Sequence, residues 1–283
     1  MSAKETIPPK VLKELEKGVR EAAMAGGAVL KRHYGRLLKV TEKSDGSGIV
    51  SNADVASEAA VLRKLKAVRR DFGILAEESG AAENPGGAPE GRWLVDPLDG
   101  TNNFVHGYPM FCVSVAAEWH GQLAAGAIYH PVLDEMYVAV LGRGAKVNGR
   151  TMKVSRRTGL QESLLTTGFT SQKEKWLKLE LKAFEYLSSL ARAVRRPGSA
   201  ALDLAYTARG VFDAFWERGL APWDVAAGSL LVSEAGGRVS GFRGEPISLD
   251  GRCEILACNP LIHSQIMGIL TRRDCQLSAP QVP

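Results

Sequence analysis

The segment WLVDPLDGTNNFVHG, residues 93–107, places two aspartates three positions apart between an apolar run and a Gly-Thr turn. Asp96 and Asp99 follow Glu77, and a fourth acidic residue, Asp224, opens a predicted helix far downstream. Each carboxylate falls where a predicted strand ends or a helix begins, which is where open sheets place ligand groups. Four like charges at one site would repel and raise one another's pKa unless a cation held them. Oxygen ligands of this kind predict a magnesium site.

A purely structural explanation of these residues stays open, because aspartate is common in turns and at helix N-termini. Asp96 and Asp99 could form a turn, and Asp224 could cap a helix. Those roles do not require the strand-end glutamate as well, so the set as a whole favours the metal site. The same turn predicts a phosphate site, because Gly100 permits close backbone approach and Thr101 would begin a helix whose free N–H groups attract anions.

Length and composition predict one compact unit with a large core. The chain has 283 residues and 30.4 kDa, with 45% apolar and 24% charged residues, a balance typical of globular proteins. We expect approximate halves at 10–150 and 151–270, with tails at 1–9 and 274–283. No apolar run is long enough to span a membrane, and no secretory signal is visible. Four cysteines without a CxxC pair favour free thiols in a reducing cytoplasm.

Basic residues slightly outnumber acidic ones, for a net charge of +5 and a pI near 9.0. Such a balance would suit a phosphorylated substrate or nucleic acid. The basic residues are dispersed in pairs among acidic ones, however, which is equally typical of a solvated surface.

The elements that must position the carboxylates alternate between strands and helices, which predicts a layered α/β or α+β sandwich. The helix containing Asp54 starts just before it, so that Asp54 lies in the first turn. Ser199 is predicted to cap a helix that Gly210 closes. Helices are predicted over residues 10–33 and in SNADVASEAAVLRKLKAV, EKWLKLELKAFEYLSSLA, SAALDLAYTA and VAAGSLLVSEA. Strands are predicted in GIVSN, FGILAEES, WLVDP, FCVSVAAEW, LAAGAIYHP, EMYVAVLGRG, SLLTTGF and VFDAFWE. The WLVDP strand is predicted to stop on its aspartate. Residues 79–92 are predicted to be a loop that could act as a lid over the metal site.

DPLDGTNNF, preceded by the glutamate of AEES and followed by WDVAAGSLLVSEAGG, is similar to the signature segments of the inositol monophosphatase family, in particular its bacterial members. That family belongs to a superfamily of lithium-sensitive, magnesium-dependent sugar-phosphate and nucleotide phosphatases. The resemblance extends over residues 10–270 and includes RRPGSAALDLAYTARG. It implies a five-layered αβαβα sandwich, usually assembled as a homodimer.

The resemblance implies two or three Mg²⁺ ions per site. Glu77, Asp96 and the main-chain carbonyl of Leu98 would hold the first ion. Asp96, Asp99 and Asp224 would hold the second, and a weaker third ion would lie near Glu77.

The resemblance also implies catalytic roles. Thr101, paired with Asp54 and aided by Glu77, would orient and deprotonate the attacking water, and Gly100 and Thr101 would contact the phosphate. Asp54 could instead simply compensate a helix dipole. Lys43 corresponds to a lysine near the metal-bound waters, and a surface role for it stays open.

On the substrate side, the resemblance implies that Gly198, Ser199 and Ala200 line the sugar and that Glu217 accepts hydrogen bonds from inositol hydroxyls. Asp224 would also face the substrate. Ser199 is equally explained as a helix cap, and Glu217 as an exposed strand-end residue.

Together these features predict direct hydrolysis of myo-inositol 1-phosphate by a magnesium-activated water, without a phosphoenzyme. Fructose 1,6-bisphosphate, histidinol phosphate and 3′-phosphoadenosine 5′-phosphate are the alternative substrates. Aspartyl-phosphate enzymes need DxDx[TV], and cysteine phosphatases need Cys-x5-Arg; the chain has neither. A regulatory module that binds RNA or the transcription machinery is the alternative from another class. The lack of an aromatic stacking motif argues against a nucleic-acid partner.

Overall fold

The structure, a computed structural model, describes residues 6–43, 48–82, 90–169 and 173–275. Two mixed sheets alternate with three helical layers. The helices are α1 (Pro9–His33), α2 (Asn52–Val68), α3 (Thr101–Val105), α4 (Lys173–Leu190), α5 (Ala200–Ala208), α6 (Pro222–Glu234) and α7 (His263–Leu270). The strands are β1 (Val40–Glu42), β2 (Ile49–Ser51), β3 (Gly73–Ala76), β4 (Gly80–Ala82), β5 (Gly91–Asp99), β6 (Cys112–Trp119), β7 (Gln122–His130), β8 (Glu135–Val140), β9 (Ala145–Val147), β10 (Arg150–Thr151), β11 (Leu164–Thr167), β12 (Ala193–Arg195), β13 (Ala214–Leu220), β14 (Arg238–Ser240) and β15 (Cys253–Cys258).

Helices α1 and α2 form the first outer layer and cover one face of an eight-stranded sheet. The sheet has the order β10-β9-β8-β7-β6-β5-β3-β4. Proline at the first position of α1 is favourable because its missing N–H would have no helical partner there. Glycine at position 27 lets α1 approach β7, since a side chain would overlap the ring of Tyr129. Apolar residues at helical spacing along α1 therefore pack against α2 and the eight-stranded sheet, and these contacts form the first hydrophobic core.

Helices α5 and α6 form the middle layer, between the two sheets. Gly126 on β7 permits close packing, because a Cβ there would lie 2.9 Å from the Cα of Ala227 on α6. The core around these helices contains apolar residues from both predicted halves of the chain, including Ile128 and Leu231. Residues of both sequence halves therefore share this core.

The second sheet has the order β12-β11-β13-β15-β14, and α4 and α7 cover its outer face. Strands β12, β11 and β13 are parallel, whereas β13, β15 and β14 are antiparallel. The layer sequence is therefore helices, sheet, helices, sheet, helices. The predicted αβαβα sandwich is confirmed.

Several predicted boundaries were wrong. Strand β5 does not stop at the first aspartate but continues to Asp99, with a register irregularity between Asp96 and Asp99. Strand β13 begins at Ala214 and extends to Leu220, later than VFDAFWE predicted. The predicted 79–92 loop contains β4 and the start of β5, and its residues 83–89 lie outside the described residues.

The predicted tails fall mostly outside the described residues, at 1–5 and 276–283. Ile7, within the predicted N-terminal tail, is buried in the first core, and Cys275 closes a 3₁₀ turn over Arg273–Cys275. Across the described ranges, no helix combines the length and apolar character that crossing a membrane requires.

Candidate functional site

The irregularity in β5 places the two aspartates of DPLD. Pairing with β6 runs as far as Asp96 opposite Ser114 and resumes only with Asp99 opposite Cys112. Pro97 between them cannot donate to a ladder, and its carbonyl instead accepts the Ser57 hydroxyl at 2.8 Å. The bulge frees the backbone at Leu98, whose N–H donates to Asp96 Oδ1 at 2.9 Å.

Gly100 turns the chain from β5 into α3. Its φ is +93°, a left-handed value that favours glycine. A Cβ there would also lie 2.8 Å from the Met110 carbonyl oxygen. Thr101 then begins α3, as the sequence predicted. Gly100 is therefore required by both its backbone conformation and its close approach to the next strand.

Thr101 and Asp54 are 47 positions apart in the chain and come into contact across α2 and α3. The Thr101 hydroxyl lies 3.0 Å from Asp54 Oδ1 and 3.1 Å from the Leu98 carbonyl oxygen. The other oxygen of Asp54 accepts the Ser51 N–H at 2.8 Å and the Ser51 hydroxyl at 2.6 Å in a capping box. Burial raises the pKa of Asp54, although the hydrogen bonds from Ser51 and Thr101 oppose the rise. Asp54 is thus a buried acceptor oriented at Thr101.

Asp99 is held by the start of α5. Its Oδ2 accepts the Ser199 hydroxyl at 2.6 Å and the Ala201 N–H at 2.7 Å. Ser199 also caps α5, accepting from the Leu202 N–H at 3.4 Å. Both sequence-based interpretations of Ser199 are therefore compatible. Burial raises the pKa of Asp99 to about 6, against the lowering effect of the Ser199 and Ala201 hydrogen bonds.

Asp96 and Asp224 complete a group of like charges. Asp224 is the third residue of α6, and its Oδ2 accepts the Ala221 N–H at 2.7 Å. Burial raises its pKa well above the ordinary value, and the charges of Glu77 and Asp99 add to the rise. Asp96, which is 2% exposed, has its pKa raised by burial and by Glu77, Asp99 and Asp224. The structure thus brings the four predicted carboxylates into one electrostatically coupled group.

Lys43 lies beside this group and is half-buried. Its ammonium donates to Glu77 Oε1 at 2.7 Å and to Glu78 Oε1 at 2.8 Å. Burial lowers the pKa of Lys43, but the charges of the two glutamates more than offset this and raise it overall. Burial raises the pKa of Glu78 to about 7. The Glu78 N–H donates to the buried carboxylate of Glu58 at 3.0 Å, which fixes the turn after β3.

These residues suit a hard divalent cation by the chemistry of their donors. The coupled carboxylates and the Leu98 carbonyl offer oxygen only, and their mutual repulsion is what a cation would relieve. As the described side chains lie, no three acidic, histidine or cysteine residues form a complete ligand set. The hydrogen bonds above engage one oxygen each of Asp96, Asp99 and Asp224. A carboxylate has two acceptor oxygens, so the second oxygen of each can serve as a ligand.

The substrate-side residues Gly198, Ser199 and Ala200 lie at the start of α5. Gly198 has a φ of +87°. The side-chain amide of Asn103 donates to the Pro197 carbonyl at 2.9 Å and to the Gly198 carbonyl at 3.3 Å. Ala200 is the first residue of α5. Asn103 therefore ties the DGTNNF segment to the segment that leads into Ser199.

The alternative explanation of Glu217, an exposed residue at the end of a strand, was wrong. Glu217 lies inside β13 and is only 8% exposed. Its pKa is raised well above the ordinary value, first by burial and then by the charges of Asp203 and Asp224. Gly168 leaves the space for it, because a Cβ there would overlap the Glu217 carboxylate.

Sequence reasoning missed Ser51, Glu78, Asn103 and Gly168. Glu78 and Asn103 stand inside AEES and DGTNNF, so their motifs could have pointed to them. Gly168 carried no sequence signal, because its requirement arises from a side chain 49 positions away.

Comparisons with known proteins agree over nearly the whole chain. Residues 11–274 match the family model described as the Inositol monophosphatase family. The chain is 41% identical to the inositol-1-monophosphatase of Synechocystis sp. over 250 residues, 87% of this chain and 85% of that protein. It is 43% identical to the Nus factor SuhB of Pseudomonas aeruginosa over 227 residues, 79% of this chain and 83% of that protein.

Among solved structures, the chain is similar to the extragenic suppressor protein suhB from Bartonella henselae. The TM-score is 0.85 at 38% identity, and the match covers 92% of this chain and 99% of the other. Family model, relatives and fold agree, and this chain belongs to the inositol monophosphatase family and is a phosphoric monoester hydrolase.

Proposed function

We propose that this enzyme hydrolyses myo-inositol 1-phosphate to inositol and phosphate in a magnesium-dependent reaction. The observation that carries the proposal is the coupled acidic group formed by residues from β5, α6 and the end of β3, next to the Thr101–Asp54 pair. Acidic residues alone would repel a phosphate monoester. A site that must bind such a substrate therefore needs cations between the carboxylates and the phosphate.

In this proposal Glu77, Asp96 and the Leu98 carbonyl hold one Mg²⁺. Asp96, Asp99 and Asp224 hold a second, and a third binds more weakly near Glu77. Bound magnesium would lower the pKa of a water and neutralise charge on the phosphoryl oxygens and the leaving oxygen.

Thr101 and Asp54 orient the attacking water and receive its proton. The Thr101 hydroxyl donates its hydrogen to Asp54, which leaves an oxygen lone pair to accept a hydrogen bond from the water. A proton can pass from the water to Thr101 as the threonine proton passes to Asp54. The raised pKa of Asp54 makes it a better proton acceptor than an ordinary aspartate. Glu77, which pairs with Lys43 at 2.7 Å, aids this deprotonation.

Gly100 and the first N–H groups of α3 contact the phosphate, since no side chain obstructs the backbone there. Gly198, Ser199 and Ala200 line the sugar, and Glu217 accepts hydrogen bonds from its hydroxyls. Burying Glu217 next to other acidic residues costs free energy. Hydroxyl donors from a polyol would offset that cost, and the match of Glu217 and RRPGSAALD to the inositol enzymes favours inositol 1-phosphate among the polyol substrates.

Phosphate release from a substrate panel tests this proposal. Inositol 1-phosphate, fructose 1,6-bisphosphate, histidinol phosphate and 3′-phosphoadenosine 5′-phosphate are each assayed with Mg²⁺ and with chelator. We expect magnesium-dependent turnover, highest on inositol 1-phosphate. Higher turnover on another substrate would replace the sugar assignment and leave the metal assignment standing. Asp96→Asn should lose activity through loss of metal, with little effect on folding, and wild-type turnover in that variant would contradict the metal assignment.

A second candidate role is supported by the relative named Nus factor SuhB. In this role the chain would bind RNA or the transcription machinery in addition to hydrolysing a phosphate ester. Binding to RNA should then weaken steeply as salt rises. Absence of binding at low salt, to RNA and to the transcription machinery alike, would dismiss it.

The family resemblance leads us to propose further properties of the whole protein. These are a homodimer, inhibition by lithium, a cytoplasmic location and cooperative unfolding of both halves as one unit. Light scattering tests the homodimer, and activity with added LiCl tests inhibition by lithium. Cell fractionation tests the location, and calorimetry tests cooperative unfolding.

A further inference from the structure

A second cleft, of about 480 Å³, opens beside β12, the edge strand of the five-stranded sheet. Three arginines, Arg157, Arg192 and Arg195, line it together with a single acidic residue, Glu162. We propose that this cleft binds a small molecule carrying two or more phosphate groups. The volume is within the usual range for small-molecule sites. The proposal does not depend on the catalytic assignment, because the acidic group lies elsewhere.

Arg157 is held in place by a buried charge. Its Nη1 lies 3.1 Å from Oδ1 of Asp213, whose side chain is fully buried. The Leu164 N–H and the Ser155 hydroxyl also donate to Asp213. The Arg157 carbonyl accepts from the side chain of Asn259 at 3.3 Å. Both ends of the residue are therefore anchored, which lowers the entropy cost of binding a ligand.

Within the described part of the chain, neither Arg192 nor Arg195 forms an ion pair with a carboxylate. The Arg192 N–H donates to the carbonyls of Leu160 and Ser163, in the turn before β11. Arg195 Nη1 donates to the Val194 carbonyl at 3.2 Å. Guanidinium forks bind phosphate oxygens in pairs. Two uncompensated forks beside an anchored third favour a ligand with several phosphate charges.

The lining favours a small ligand over nucleic acid. The residues facing the cleft include no aromatic side chain on which a base could stack. The residues that line the cleft differ from those that form the catalytic site. Arg195 lies four positions before Ser199, whose hydroxyl contacts Asp99.

Calorimetric titration of the full chain with inorganic tripolyphosphate, in excess chelator and at low salt, tests the proposal. Without divalent cations, the acidic group around Asp96 repels anions, so the catalytic site does not contribute. We expect one bound tripolyphosphate per chain, with an affinity that falls as salt rises. No binding to the wild-type chain would overturn the proposal.

The variant Arg192→Ala/Arg195→Ala should weaken tripolyphosphate binding by at least about tenfold, because the loss of even one charged hydrogen bond lowers affinity by about that factor. Arg192→Lys/Arg195→Lys should have an intermediate affinity, since it keeps the charge but loses the forks. The matched control is Arg63→Ala/Arg150→Ala, which removes two exposed arginines from α2 and β10 and should leave affinity within about twofold.

Equal losses of affinity in the two double-alanine variants would mean that tripolyphosphate is attracted to the basic surface in general, and would overturn the proposed site. Single-stranded oligouridylate of matched charge is the final probe. If it binds more tightly than tripolyphosphate and loses affinity in the same variant, the cleft is a nucleic-acid site and the small-molecule proposal fails. Thermal unfolding of each variant verifies that it is folded.

Discussion

Asp99→Asn should stabilise the metal-free enzyme while it abolishes magnesium binding at the second position. The pKa of Asp99 rises from 3.8 to about 6 on folding, chiefly because the group is buried. A carboxyl with a raised pKa contributes stability that is fully present below the unfolded value and is lost as pH rises through the folded value. The gap corresponds to about 3 kcal/mol, at about 1.4 kcal/mol for each pKa unit. Near pH 7 the charged aspartate therefore costs the folded state up to that amount.

An asparagine removes the charge and keeps the shape. Its carbonyl oxygen can still accept from the Ser199 hydroxyl and the Ala201 N–H, which hold the aspartate now. For a chain of this length, about 3 kcal/mol corresponds to an increase of about 5 °C in the unfolding temperature. Added Mg²⁺ should reverse the ranking, because an ion that binds only the folded wild type stabilises it by about 4.1 kcal/mol at about 1,000 times its Kd.

Thermal unfolding in chelator, at pH values near 4 and near 7, checks both parts. The variant should exceed the wild type near pH 7, and the difference should shrink toward pH 4, where Asp99 is protonated in the folded state and only partly ionised in the unfolded state. Asp250→Asn is the control, because this side chain is 86% exposed and pairs only with Arg92 at the surface. If Asp99→Asn is no more stable than the wild type near pH 7, the picture of buried mutual repulsion is wrong.

Three further predictions address positioning and packing. Gly168→Ala should displace the Glu217 carboxylate and raise KM for inositol 1-phosphate by about tenfold, because the loss of one charged hydrogen bond changes affinity by about that factor. An equal rise in KM for p-nitrophenyl phosphate, which has no polyol group, would contradict this prediction. Thr101→Val should lower kcat by about 10²-fold or more while magnesium affinity measured by calorimetry is kept, whereas Thr101→Ser should retain most activity. Gly27→Ala should lower stability in chemical denaturation by about 1–3 kcal/mol, because its methyl group would overlap the tyrosine ring on β7. Gly268→Ala, with open space around its helix position, should instead raise stability by about 0.5–1 kcal/mol, and similar effects at both glycines would refute the packing argument.

Sequence periodicity predicted most of the elements but few of their ends. The helix over residues 10–33 was found almost as predicted, since its apolar spacing and its entry prolines are local signals. The end of β5 was wrong because its last residues are fixed by pairing of Asp99 with Cys112, a contact made across the sheet. The register irregularity between Asp96 and Asp99 arises at Pro97. The proline was visible in the sequence, but its effect on the pairing of β5 with β6 could not be predicted from it.

The sequence by itself determined the family, the layered fold and the group of acidic residues, because these depend on residue types at local spacings within two long motifs. Only the tertiary structure decided how those groups are held. It showed that Ser199 both caps α5 and binds Asp99, that Lys43 bridges Glu77 and Glu78, and that Glu217 is buried within its strand. These contacts join residues that are tens of positions apart. Their existence depends on how sheets and helices pack, and no local pattern encodes that packing.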